Sequence, residues 1–194
     1  MDKNLNGLRK QIRDLEKELS RRVEEKRQQF EYSLHGKKVV FSDEIAALQK
    51  RFRQDTWNYL RTARPLALLT APVIYGMALP LVLLDVSITL YQHICFRAYG
   101  IPLVRRDAYF IIDRNTLPYL NWIEKLNCVY CGYGNGLVSY AKEIIGRTEK
   151  HWCPIRHARS IPDPHSEYAD FLEFGDAEAY RTELEQVRKD YSQE

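Results

Sequence analysis

A chain of 194 residues, 45% hydrophobic and 28% charged, is long enough for one compact domain with appendages and too apolar for a disordered polymer. Its net charge of +3 hides a division: residues 1–64 carry 16 Lys and Arg against 10 Asp and Glu, residues 65–96 carry only Asp85, and residues 160–194 carry 3 basic against 10 acidic groups. The dense charge of residues 1–30 argues against a secretory signal, and four cysteines, three of them clustered, point to reduced thiols more than to a disulfide scaffold.

In residues 1–64, Leu5, Leu8, Ile12, Leu15 and Leu19 draw one seam along a helix in a three-four alternation, the pattern of a short coiled coil. Arg22 and Lys26 interrupt it, and Val23, Phe30 and Leu34 resume it after a four-residue shift. His35-Gly36 is a stop signal. Ser42, followed by Asp43 and Glu44, then caps a second helix that is expected to run through Ile45, Leu48, Phe52 and Tyr59 toward Thr62. The expectation is a basic helical hairpin able to bind a protein partner, with self-association left open.

Residues 65–96 are rich in Leu, Val, Ile and Ala. A bilayer core takes about 20 residues of helix, so two full crossings do not fit. Two membrane forms remain open, one tilted crossing or a re-entrant segment broken between Gly76 and Pro80, which the basic residues on both flanks (Arg61, Arg64, Arg97, Arg105, Arg106) would favour, beside a core hairpin wholly buried in protein. Asp85 is compatible with a functional group, an interface position or a helix break.

Within residues 97–160 the run Tyr109-Phe-Ile-Ile112 reads as a buried strand or extended stretch between Asp107 and Asp113, and a helix is expected from Thr116 and Pro118 through Leu120, Ile123 and Leu126. Cys128 and Cys131 follow, then Cys153 and His157 in Cys-Pro-Ile-Arg-His, a spacing at which three thiolates and an imidazole can share one tetrahedral metal. Gly132 would supply the turn that faces both sulfurs to the ion, and a further helix would run from Leu137 through Ile145. Cys95 is the alternative fourth ligand, with His151 and His165 in reserve. Zinc is expected ahead of an iron–sulfur cluster, because a histidine ligand is less usual for clusters. A thioredoxin-type dithiol is disfavoured, since the pair follows a helix instead of opening one. Gly132-Tyr-Gly-Asn-Gly136 lacks the register of a phosphate loop, and no serine or cysteine triad stands out.

Residues 161–194 form an acidic tail. Tyr168, Phe171, Leu172 and Phe174, then Tyr180, Leu184, Val187 and Tyr191 on one helical face, predict that it docks on a surface.

The stretch from Pro65 to Arg159 resembles an uncharacterised family of bacterial, chiefly proteobacterial, membrane proteins, carried by Ile101-Pro-Leu-Val-Arg-Arg, Tyr119-Leu-Asn-Trp-Ile-Glu-Lys-Leu-Asn-Cys-Val-Tyr-Cys131 and Trp152-Cys-Pro-Ile-Arg-His157. The family has no assigned activity, and its resemblance implies a bacterial inner membrane protein. Together the readings give a mainly α chain: an N-terminal coiled-coil-like hairpin, one membrane segment, a small helical Cys-rich metal-binding module and an acidic C-terminal helix. The expected function is a membrane-attached scaffold or adaptor with a structural zinc site and its soluble parts facing the cytoplasm. It contacts membrane lipid, and no nucleic acid is expected. The rivals are an iron–sulfur redox subunit of a membrane enzyme and a lipid-processing enzyme; the residues favour a non-enzyme.

Overall fold

In the computed structural model, which describes residues 2–29, 32–35 and 38–191, the first element is α1 (Asp2–Gln29), a single helix of 28 residues. Glu18 accepts hydrogen bonds from Arg21 and Arg22, which hold its carboxyl down at about 2. The seam is uncovered: Ile12, Leu15, Leu19 and Val23 are 56%, 69%, 64% and 43% exposed. Phe30 lies outside the described residues.

The end of the expected first arm, where Leu34 was to resume the helical seam, lies instead in a β-hairpin, β1 (Tyr32–His35) antiparallel to β2 (Lys38–Phe41), with Tyr32 opposite Phe41. The physical reason is local: Val39, Val40, Phe41 and Tyr32 are β-branched or aromatic and flank a glycine-containing connection. Ser42 does cap α2 (Asp43–Lys50), its hydroxyl accepting from the Ile45 N–H at 3.4 Å. The helix then stops, and α3 (Thr56–Thr62) starts anew after Asp55, whose carboxylate accepts from the Trp57 and Asn58 N–H groups.

The chain divides into two compact units, Met1–Arg61 with Asp113–Leu126, and Thr62–Ile112 with Asn127–Glu194. In the first, Tyr32, Val39 and Phe41 of the hairpin line a small cleft with Asp113, Arg114, Thr116 and Leu117.

The second unit is built on a rod. α4 (Pro65–Gly76) and α5 (Ala78–Tyr91) are joined by Met77 in right-handed helical geometry, and a π turn, Gln92–Phe96, leads into α6 (Arg97–Tyr99). The result is one helix, Pro65–Tyr99, about 52 Å long at 1.5 Å per residue. No reversal occurs between Gly76 and Pro80, so of the two forms left open the helix takes the unbroken one. Its most apolar 18-residue window has mean hydropathy 2.1 and none of it is buried.

Gly100, at φ +69°, ends the rod in the left-handed conformation glycine adopts readily, and the chain turns back as residues 101–112. Apart from α7 (Arg106–Tyr109) this return segment is irregular, so of the run Tyr109–Ile112 the first residue ends a helix, and among the described residues the other three pair with no strand. After a 3-10 turn, Arg114–Thr116, comes α8 (Trp122–Trp152), 31 residues without a break. The expected start at Thr116 gives way to Asn121, whose side chain accepts from the Ile123 and Glu124 N–H groups at 3.0 Å while the Glu124 carboxylate accepts from the Asn121 N–H at 2.8 Å, a reciprocal capping box.

α8 runs parallel to the rod: Tyr130 meets Tyr75, Tyr140 meets Gln92, Thr148 meets Tyr91 and Trp152 meets Tyr99. The return segment lies on α8 where glycine leaves room. A Cβ on Gly132 would come within 3.3 Å of the Ile111 carbonyl oxygen, and one on Gly136 within 2.8 Å of the Tyr109 carbonyl oxygen. These glycines are contact points inside a helix, which is why the turn expected at Gly132 and the separate helix from Leu137 are absent. Phe96, Ile101, Val104, Leu137, Tyr140 and Ile144 form the core where rod, return segment and α8 meet.

The tail docks. A bridge pairs Ile155 with Leu172, a 3-10 turn spans Ser166–Asp170, and Phe171 and Leu172 are buried. α9 (Ala177–Thr182) and α10 (Leu184–Val187) follow, with Tyr180, Leu184, Val187 and Tyr191 half-buried. Phe174 stays exposed.

The glycine contacts predict a sharp asymmetry. Gly136→Ala should destabilise by about 1–3 kcal/mol, because backbone atoms of Tyr109 and Phe110 cannot move aside as a side chain can. Gly76→Ala meets nothing within 4 Å and should be neutral or slightly stabilising. Thermal unfolding of the two variants in detergent micelles checks this.

Candidate functional site

Two polar assemblies occupy the second unit. The first surrounds Asp85, the one charged residue of the apolar segment. Arg106 of the return segment makes a two-pronged pair with it, one Nη2–Oδ2 contact measuring 2.7 Å. Tyr133 of α8 donates to the same carboxylate at 2.8 Å, and the Thr89 hydroxyl donates at 3.3 Å. The Arg106 guanidinium lies 3.9 Å from the centre of the Phe110 ring, which fixes its plane. Asp85 therefore ties together the rod, the return segment and α8.

Two turns further along the rod, Gln92 continues this lacing. The π turn brings its side chain inward, where it is 1% exposed. Its amide nitrogen donates to the Tyr140 hydroxyl, and its amide oxygen accepts from the Val104 N–H at 3.1 Å. A backbone donor of the irregular return segment is thus satisfied by a side chain, as a buried N–H requires.

The second assembly lies between α8 and the tail. Lys150, fully buried, donates to Glu167 at 2.5 Å and Asp170 at 3.3 Å, and to the backbone carbonyl of Asp190. Arg147 pairs with Glu143 at 3.1 Å and donates to the Pro102 carbonyl, while the Ser166 hydroxyl reaches Glu143 at 2.8 Å. Removing one partner of such a buried pair leaves an uncompensated charge and costs about 3–5 kcal/mol, so these groups act as clamps on the tail. Arg188 adds a hydrogen bond to the His151 carbonyl at 2.7 Å. Burial, and then the charge of Arg188, pull the His151 imidazole down from its ordinary value.

The expected metal ligands are not brought together. Cys128 and Cys131 sit on α8, and Cys153 lies just past its far end, about 33 Å from Cys131 at 1.5 Å per residue. His157 stacks on Tyr168, with ring centres 5.9 Å apart. Cys95 belongs to the π turn, in which Gln92 meets Tyr140 of α8. Burial and then the Glu149 carboxylate push the Cys153 thiol up, away from thiolate. Among the described residues no three His, Cys, Asp or Glu side chains are grouped to hold a metal ion. The cause is the unbroken helix: the motif needed a loop at Gly132, and the glycines there serve the return segment.

Sequence reasoning named Asp85 without a partner and treated Arg106 as flanking charge. The signal that joins them is an unpaired acid in a long apolar helix followed by an Arg pair after a glycine stop. Lys150, Glu143 and Glu167 offered no such signal, because charged residues in a charged segment read as solvated.

No protein-family model matches the chain, and comparisons with curated proteins and with solved structures find no significant match.

Two outcomes test this geometry. Burial, and then the Glu167 carboxylate, push the Tyr191 phenol up to about 12. An unfolded tyrosine titrates near 10, so the unfolded state loses this proton first, and stability present below about pH 10 should be lost as pH rises through about 12. The melting temperature of the native chain should therefore fall more steeply over that interval than that of Tyr191→Phe. Separately, a bis-maleimide spanning about 10 Å should fail to join Cys131 to Cys153, given six helical turns between them; cross-linking in good yield would mean that α8 breaks.

Proposed function

We propose that this chain is a membrane-anchored scaffold or adaptor protein of the bacterial inner membrane. The observation that carries the reading is the stretch Leu66–Leu84: 19 residues without a charge, about 28 Å of helix, with large apolar side chains exposed around its circumference. A helix hydrophobic round its circumference, with α8 along one face at Tyr75 and Leu81 and none of its most apolar window buried, matches the hydrocarbon core of a bilayer, about 30 Å thick. The resemblance of Pro65–Arg159 to bacterial membrane proteins points the same way. The scaffold role is supported by α1, whose seam from Ile12 to Val23 is exposed and patterned for another helix. Zinc and iron–sulfur readings draw no support from Cys128 and Cys131 on α8 with Cys153 beyond its far end, and Asp85 is engaged with Arg106, which does not favour an acid–base role in lipid processing.

Basic residues lie on both flanks of the rod, and we read those before it, Arg51, Arg53, Arg61 and Arg64, as favouring a cytoplasmic Thr62. The acidic tail follows Trp152, which lies beside Tyr99 at the rod's other end, so a crossing rod puts Ser160 across the membrane. A crossing rod thus gives a two-sided arrangement, and a re-entrant one would keep all soluble parts facing the cytoplasm. The protein should stay in the pellet after alkaline carbonate extraction, and topology reporters after Thr62 and after Ser160 should give opposite signals. Extraction into the supernatant would contradict the anchor; retention with both reporters cytoplasmic would contradict the crossing.

A further inference from the structure

Past Leu84 the rod changes character. Val86, Leu90 and Ile94 remain 62%, 58% and 59% exposed along one stripe, but Asp85, Thr89 and His93 now lie beside them. Val86, Leu90, Thr89 and His93 form the rod side of an open groove of about 580 Å³, closed at one edge by Asp85 and Arg106. That volume falls in the range of small-molecule sites, about 300–1,000 Å³.

The groove has one donor group held in advance. Arg106 spends one edge of its fork on Asp85, and its plane is fixed by that pair and by the Phe110 face. A guanidinium has five N–H donors, so others remain for an oxyanion, and the 43% exposure of the side chain leaves them accessible. Two turns away the His93 Nδ1–H donates to the Thr89 carbonyl at 2.8 Å, which leaves Nε2 for a ligand. Between these polar ends the floor is apolar. The depth fits as well: if Leu66–Leu84 fills the hydrocarbon core, Asp85 and Arg106 stand at its boundary, where phosphates begin.

We propose that this groove binds the phosphodiester of a membrane phospholipid, with Arg106 donating to the phosphate oxygens and Val86 and Leu90 against the glycerol and first methylenes. The proposal rests on the anchoring of the rod in a bilayer. A planar fork on a phosphate is the arrangement that a lysine reproduces poorly. Asp85 then has two duties: it neutralises Arg106 in the empty groove and holds it in place for the lipid.

The test uses the full chain in detergent micelles, delipidated and titrated with dioctanoyl phosphatidylglycerol while bound phosphorus is measured. The native chain should bind the lipid saturably, with affinity reduced at least tenfold in Arg106→Gln and several-fold in Arg106→Lys. Because loss of Arg106 strands Asp85, Leu90→Trp provides an independent check: it fills the groove, leaves the ion pair alone, and should weaken lipid binding with an unchanged melting temperature. Inorganic phosphate at millimolar concentration should fail to displace the lipid. Equal binding by the native chain and Leu90→Trp overturns the proposal, as does displacement by inorganic phosphate, which would assign the groove to a soluble anion. Since binding is read in micelles, its failure is distinct from release by carbonate, which would count against the anchor alone.

Discussion

A carboxylate in the middle of an apolar helix has to find a partner, and Asp85 finds it in a segment that would otherwise have no reason to lie where it does. Residues 101–112 make no sheet and, α7 apart, no helix, so their position depends on what they meet. Arg106 meets Asp85, the Val104 N–H meets Gln92, and the Tyr109 and Ile111 carbonyls meet the glycine face of α8. Through these contacts the return segment determines which faces of rod and α8 come together, and the core from Phe96 to Ile144 closes around it.

The remainder of the second unit follows from that core. α8 extends past it by about two turns, carrying Lys150 and Arg147 to the tail, where Glu167, Asp170 and the Asp190 carbonyl surround the ammonium group. The tail therefore docks through buried charge as well as through Phe171 and Leu172. Exposed ion pairs such as Lys142–Asp163 contribute little by comparison, about 0–1 kcal/mol each. A protein that leaves most of the large apolar side chains of Leu66–Leu84 exposed yet buries a lysine completely has concentrated its polar order at one end of the rod.

Periodicity and caps were the legible part of the sequence. The seam of α1, the Ser42 cap, the long apolar segment and the docking stripe of the tail all rest on spacing along one element, which a sequence displays directly. What stayed hidden depends on contacts between elements. Gly132 and Gly136 have the same appearance whether they turn the chain or admit a neighbouring backbone, and reading them as a turn produced a metal module that the unbroken α8 cannot form. Asn121 and Glu124 spell a capping box, but Thr116 and Pro118 carry an equally good start signal upstream, and the sequence alone does not choose between them. The β-hairpin at Tyr32–Phe41 is short enough for a helical seam to be drawn across it.

Every pairing of the rod with α8 requires Pro65–Tyr99 to be one unbroken helix. Spin labels at Leu68 and Ile94, placed on the chain in a bilayer and measured by pulsed dipolar spectroscopy, test this directly. A continuous helix puts 26 residues between them, or about 39 Å between backbones. A distribution centred near that distance supports the account, whereas one below about 20 Å would mean that the segment folds back between Gly76 and Pro80.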